Sequence, residues 1–159
     1  GEPAWRTLGE DLVDPLFTWD TTGVPDGSYE VRLTVTDRPD NPAAVAHAVS
    51  RTLPAVRVDN TDPELEALRL ERTPTGFRLR LEARDGGTVL AGADVELPDG
   101  RVERLDPRDG VCDEHEESFD VRLAFPREDS GAHDVPWRVR VRVWDLAGNL
   151  AVAQGGLTP

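Results

Sequence analysis

The chain has no lysine and no methionine, and only one cysteine and one tyrosine in 159 residues. With Cys112 as its single thiol it can close no internal disulfide, so a disulfide-stapled scaffold is excluded. The compartment stays open, because many bacterial exported proteins lack disulfides. All 18 cationic side chains are arginine, a usage compatible with a GC-rich genome and silent about mechanism. Methionine is missing even at position 1, and the chain is expected to be a processed or excised piece of a longer protein. No apolar run approaches the roughly 20 residues of a membrane-spanning helix, and no signal-peptide pattern is visible. Positive charge is scarce as well: the net charge is −13, with 31 acidic residues. That balance repels phosphate backbones and anionic bilayers, so neither nucleic acid nor membrane insertion is expected. It favours solubility and, weakly, cation binding.

A helical period is also absent; the period present is two. In "YEVRLTVTD", Tyr29, Val31, Leu33 and Val35 share one face. Phe77, Leu79, Leu81 and Ala83 do so in "FRLRLEARD", as do Phe119, Val121, Leu123 and Phe125 in "SFDVRLAF". In "WRVRVRVWD", Trp137, Val139, Val141 and Val143 alternate with three arginines. Such alternation predicts half-buried antiparallel strands. Turn signals separate them: "PDG" at 25–27 and 98–100, "DGG" at 85–87 and "DSG" at 129–131. The expected fold is all-β. From residue 64 onward the pattern predicts seven strands, at about 64–72, 76–85, 89–97, 101–106, 117–125, 136–145 and 150–156. Before residue 60 it predicts four, at about 4–8, 16–20, 28–37 and 44–58.

The chain also repeats itself. Placing Asp37 on Asp145 puts Tyr29 on Trp137 and Asn41 on Asn149, an offset of 108 residues (145 minus 37). That is close to one immunoglobulin-type domain of about 100 residues. The stretch "TWDTTGVPDGSYEVRLTVTDRPDNP…VRVDNTDP" resembles the second half of a bacterial immunoglobulin-like or fibronectin type III-like domain. In that family a Pro/Gly turn precedes the Tyr that opens strand F, and Tyr29 matches it. "PRDGVCDEHEESFDVRLAF" and "VRVWDLAGN" resemble a second such domain, with Trp137 standing where the family has a smaller residue and "GAHDVP" as extra length. The resemblance implies tandem sandwiches, residues 1–60 forming the C-terminal half of one and 61–159 the whole of another. It also implies a place near the end of a large exported bacterial protein, periplasmic, extracellular or on the cell surface. Sandwich domains host many roles, so it specifies fold better than function.

In such a sandwich strand F pairs with C and B with E. Arg138, Arg140 and Arg142 would then face Asp94 and Glu96, and Arg78 and Arg80 would face Asp120. These pairs are weighed as structural cross-strand pairs rather than a phosphate- or sulfate-binding stripe. The acidic loop "LDPRDGVCDEHEES", with Asp106, Asp109, Asp113, Glu114, Glu116 and Glu117, lacks the spacing of an EF-hand. His115 and Cys112 within it are read as loop residues rather than a transition-metal pair. The linker "VDNTDP" offers Asp59 and Asp62, which with Asp37 or Asp145 from a nearby loop form the better calcium candidate. The Asp-x-x-x-Asn stretches at 37–41 and 145–149 are read mainly as turn chemistry.

Catalysis has no anchor. His47, His115 and His133 lie in separate loops or edges, and none stands beside a nucleophile motif. Trp5, Trp19 and Trp137 have inward parity and are expected in the core. Trp144 has outward parity and is the aromatic to watch as a contact residue. No catalytic, binding or metal-ligating residue is therefore assigned and no cofactor is expected, with calcium as the one candidate left open. The reading is a non-catalytic spacer or interaction module, the alternative a calcium-stiffened adhesion or ligand-binding module. The first copy lacks its opening strands, so its apolar edge needs a partner: the upstream part of the same protein, or another chain, completing the first sandwich.

Overall fold

The computed structural model describes residues 4–38, 40–124 and 137–157. Eleven strands and no helix occur among them. Seven carry the larger unit: β5 (Glu64–Thr73), β6 (Gly76–Arg84), β7 (Leu90–Glu96), β8 (Val102–Leu105), β9 (Glu116–Ala124), β10 (Trp137–Asp145) and β11 (Leu150–Leu157). They lie where the two-residue period places them, within a residue or so at each end. They form a four-stranded sheet in the order β11-β10-β7-β8 and a three-stranded sheet in the order β5-β6-β9, all antiparallel.

The alternation explains why these two sheets share a core. Phe77, Leu79, Leu81 and Ala83 of β6 are buried, as are Phe119 and Leu123 of β9. Ala93 and Val95 of β7, Leu105 of β8, and Val139, Val141 and Val143 of β10 complete the same cluster from the other sheet. The residues between them point outward and are mostly arginine, aspartate and glutamate, the signature of sheets buried on one face. Trp137 is half-buried against this core, edge-on to Phe77 with ring centroids 5.7 Å apart. It fills the start of β10 as its parity predicts.

Four shorter strands precede this unit. β1 (Gly27–Tyr29) pairs with β4 (Val56–Val58), and β2 (Arg32–Thr36) pairs with β3 (Ala48–Thr52). The expected strand at 28–37 is thus broken between Tyr29 and Arg32, and the one at 44–58 is broken between Thr52 and Val56. Pro54 stands in the second break, where a residue without an N–H cannot continue a ladder. The strands expected at 4–8 and 16–20 do not form; those residues have no regular structure. Apolar parity alone does not make a strand when no neighbouring edge completes its hydrogen bonds.

The expectation that Trp5 is core is also overturned. It is 42% exposed and lies under the guanidinium of Arg32, 4.1 Å from its centroid. Trp19 is half-buried, edge-on to Tyr29 with centroids 5.8 Å apart. Among the described residues before position 60, only Val58 and Asp59 are buried.

Candidate functional site: a buried carboxylate triad at the junction

Three aspartates meet where the small strands hand over to the larger unit. Asp59 follows the last residue of β4, Asp85 follows the last residue of β6, and Asp145 ends β10. One carboxylate oxygen from each lies within 4.8 Å of the other two. All three side chains are buried, with Asp59 at 7%, Asp85 at 6% and Asp145 at 2% of full exposure.

Each aspartate is held by the turn that follows it. Asp145 Oδ1 accepts the backbone N–H groups of Gly148 (2.7 Å) and Asn149 (2.8 Å), and its Oδ2 accepts Asn149 Nδ2 at 2.7 Å. Gly148 has φ +94°, a left-handed conformation that glycine adopts without strain. Asp85 Oδ1 accepts the N–H groups of Gly87 (2.7 Å) and Thr88 (2.9 Å). Asp59 Oδ1 has only a longer bond, from Thr61 N at 3.3 Å.

The remaining oxygens distinguish this cluster from ordinary turn caps. Asp59 Oδ2 and Asp85 Oδ2 are both buried with no hydrogen-bond partner, and the Oγ1 of Thr88 is likewise buried and unpartnered. A buried carboxylate oxygen without a donor is costly, and two beside a third carboxylate are costlier still. A divalent cation among them would remove both penalties. The donor set is all oxygen, hard and anionic, and contains neither His nor Cys, which suits calcium rather than zinc. The close fit is local to one glycine: a Cβ on Gly87 would fall 2.1 Å from Asp59 Oδ2.

The linker is tied on both sides. Asn149 Nδ2 donates to the carbonyl of Asp59 (3.1 Å), and Leu150 N donates to Asp62 Oδ1 (3.3 Å). Toward the small strands, Asp26 accepts Asn60 N at 2.8 Å and the Thr61 hydroxyl, while Asn60 Nδ2 donates to the carbonyls of Thr21 and Val24, both at 2.9 Å. These bonds hold the Asp26 carboxyl below its usual range, Thr61 contributing most. Beside the triad an open cleft of about 260 Å³ is lined by Thr61, Asp62, Arg84, Asp85, His115 and Glu116.

Asp59 and Asp145, both named from the sequence, thus come together. Asp62 stays beside them as a cap on β11, and Asp37 does not join. It caps its own hairpin by accepting His47 N at 2.7 Å. Asp85 escapes the sequence reading, because "RDGG" reads as a plain turn; its only warning is a second Gly at position 87, which the turn itself does not require.

The other candidates resolve as structure. Arg142 forks onto Asp94 at 2.7 and 2.9 Å, Arg140 reaches Glu96 at 3.2 Å, and Arg78 forks onto Asp120. Arg80 is shared between Glu71 (2.9 Å) and Asp120 (3.7 Å). Arg78 holds the Asp120 carboxyl below the carboxylate range. These four arginines carry carboxylate partners, whereas Arg138 does not face Asp94 or Glu96: it is exposed, lies before the β7 register begins and stands opposite Gly156 of β11. In the acidic loop, Glu117 is 5% exposed and accepts Asp113 N (3.0 Å) and Glu114 N (3.1 Å). His115 Nδ1 bonds the carbonyl of Asp85 at 2.9 Å. Burial, reinforced by Glu117, pushes the Cys112 thiol up to about 11. Trp144 lies across Gly92 of β7, where a Cβ would come within 2.4 Å of its Cζ2. Phe125 and His133 fall outside the described residues. In comparisons with known proteins, no family model, no curated protein and no solved structure matches the chain.

Proposed function

We propose that the chain is a non-catalytic structural and interaction module of a larger exported bacterial protein, built from tandem immunoglobulin-like units and braced at their junction by calcium. The observation that carries the calcium is the buried Asp59, Asp85 and Asp145 triad with its two unpartnered carboxylate oxygens. Calcium takes six to eight oxygens at about 2.3–2.6 Å. Three carboxylates supply part of that shell, and backbone carbonyls, water and the Thr88 hydroxyl are oxygen donors of the kind that completes it. The immunoglobulin-like reading is supported by the two packed antiparallel sheets and by Tyr29, whose hydroxyl donates to the Pro25 carbonyl at 2.6 Å. A tyrosine bonding back to the chain a few residues upstream is a recurring corner of such sandwiches.

The role follows from what the ion would join. Asp59 belongs to the linker, and Asp85 and Asp145 belong to two turns of the larger sandwich. A cation shared by all three would fix the direction in which the linker leaves that sandwich. A module with this property acts as a stiff spacer, presenting whatever precedes it at a set angle. Its smaller unit, short of strands, takes its cover from the upstream part of the same protein or from another chain. Calorimetric titration with calcium and with magnesium tests the ion directly. Binding of calcium, lost in a D59N/D85N double variant, is the expected result. An absence of calcium binding up to about 10 mM, beyond the weakest calcium modules, leaves a plain spacer and ends the bracing role.

A further inference from the structure

The internal repeat makes the missing neighbour of β2 legible, residue by residue. Shifted by 108, β2 (Arg32–Thr36) falls on Arg140–Trp144 of β10. The two hairpins also match in their backbone bonds. Asp37 N donates to the His47 carbonyl at 3.2 Å, and Asp145 N donates to the Asn149 carbonyl at 3.2 Å. Leu53 N donates to the Val31 carbonyl at 2.8 Å. Odd-numbered residues of β2 therefore bond to β3, and in an antiparallel ladder the even-numbered ones turn their N–H and C=O groups the other way. Those of Arg32, Thr34 and Thr36 face an edge that no strand occupies among the described residues.

In β10 the equivalent edge is filled by β7, in the register Arg140↔Glu96, Val141↔Val95, Arg142↔Asp94 and Val143↔Ala93. The charged pairs of that register close as ion pairs, at 3.2 Å for Arg140 and 2.7 Å for Arg142. Carried back by 108, the register sets a carboxylate opposite Arg32 and small or β-branched apolar residues opposite Leu33 and Val35. The apolar face such a strand would extend is open: Leu33 is 55%, Val35 60% and Val49 71% exposed. Arg32 has no carboxylate partner among the described residues and rests on Trp5.

We infer that the outer edge of β2 is a docking site for an extended strand of a partner polypeptide. The strand runs antiparallel to β2, carries small or β-branched apolar residues opposite Leu33 and Val35, and places a carboxylate opposite Arg32. Main-chain bonds to Arg32, Thr34 and Thr36 supply the attachment, and the carboxylate sets the register. This rests on the reading that the smaller unit is an incomplete sandwich.

The probe is a synthetic peptide copying residues 89–97, Val-Leu-Ala-Gly-Ala-Asp-Val-Glu-Leu, added to the full chain. The readout is residue-resolved amide exchange. With the peptide, the amides of Arg32, Thr34 and Thr36 are expected to slow by about tenfold or more, while those of Leu33 and Val35 stay as they were. A peptide with arginine in place of the glutamate copied from Glu96 is expected to bind about tenfold more weakly, and R32E in the chain to reverse that preference. If the three edge amides are already as slow as Leu33 and Val35 in the chain alone, the edge is covered, and the incomplete-sandwich reading falls with the inference. If they are fast and stay fast with peptide, the docking inference alone falls. Slowing that follows chain concentration instead of peptide concentration overturns it in favour of self-pairing, and so does peptide exchanging with β7 on β10.

Discussion

Replacing Asp85 by asparagine should raise stability in the absence of calcium and abolish the response to calcium. Three carboxylates with one oxygen from each within 4.8 Å of the other two repel by about 3.5 kcal/mol for each pair in which both are charged, at an effective dielectric constant of about 20. Asp85 takes part in two of the three pairs, so neutralising it relieves as much as ~7 kcal/mol of repulsion, less whatever relaxation already removes. The substituted side chain would keep an oxygen for the Gly87 and Thr88 amides and gain an amide able to donate to Asp59 Oδ2. In EDTA, D85N is therefore expected to melt higher than the parent chain. In calcium that advantage narrows, because a cation at about a hundredfold excess over its dissociation constant stabilises the parent alone by about 2.7 kcal/mol. For a unit of this size that is roughly 10–20 °C in melting temperature. The assay is thermal unfolding followed by circular dichroism, on parent and D85N, in millimolar calcium and in EDTA. A variant equally destabilised in both buffers would show that the three carboxylates serve only as turn caps. A parent whose melting point ignores calcium would refute the site itself.

Gly87→Ala puts a methyl group where Asp59 Oδ2 now lies, 2.1 Å from the built Cβ; the linker must shift, and calcium affinity is expected to fall at least about tenfold while the larger sandwich keeps its β-sheet signal. Acid should not weaken the chain between about pH 7 and 5. The lowered carboxyls of Asp26, held chiefly by Thr61, and Asp120, held chiefly by Arg78, contribute fully above the ordinary carboxylate value near about 4. That contribution is lost only as pH falls through their lower folded values, so acid unfolding in EDTA is expected to begin below about pH 4, and a midpoint above about 5 would contradict the sign. Cys112, raised to about 11 by burial, should resist iodoacetamide in the folded chain at mildly alkaline pH and react promptly once guanidinium unfolds it; rapid alkylation of the folded protein would show that the thiol is not held in that environment.

How far the sequence could be read depended on whether each signal was local. The larger sandwich was legible nearly to the residue, because Phe77 to Ala83 and Val139 to Val143 alternate without interruption and each run has a partner within the chain. The cross-strand pairs of Arg142 with Asp94 and of Arg78 with Asp120 were legible for the same reason. At 4–8 and 16–20 the same alternation misled, since a ladder needs an edge and none is offered there. Trp5 shows the failure most plainly: parity gave it a face but could not supply a core for that face to meet. The triad was half legible. Asp59 and Asp145 stood out as crowded polar positions, whereas Asp85 has the sequence of an ordinary turn, and only the packing of Gly87 under Asp59 joins them.

The triad also orders events in time. Asp59, Asp85 and Asp145 lie far apart along the chain, and the last of them takes its geometry from Gly148 and Asn149. A chain made or exported from its N-terminus presents the linker aspartate long before the two turns that complete its surroundings. With the proposed ion as its brace, the junction would stay slack until the final hairpin has emerged and closed, and stiffen only after the downstream sandwich has folded. Stiffness at this joint would then mark completion: a chain truncated before residue 149 is expected to keep a loose linker however much calcium surrounds it.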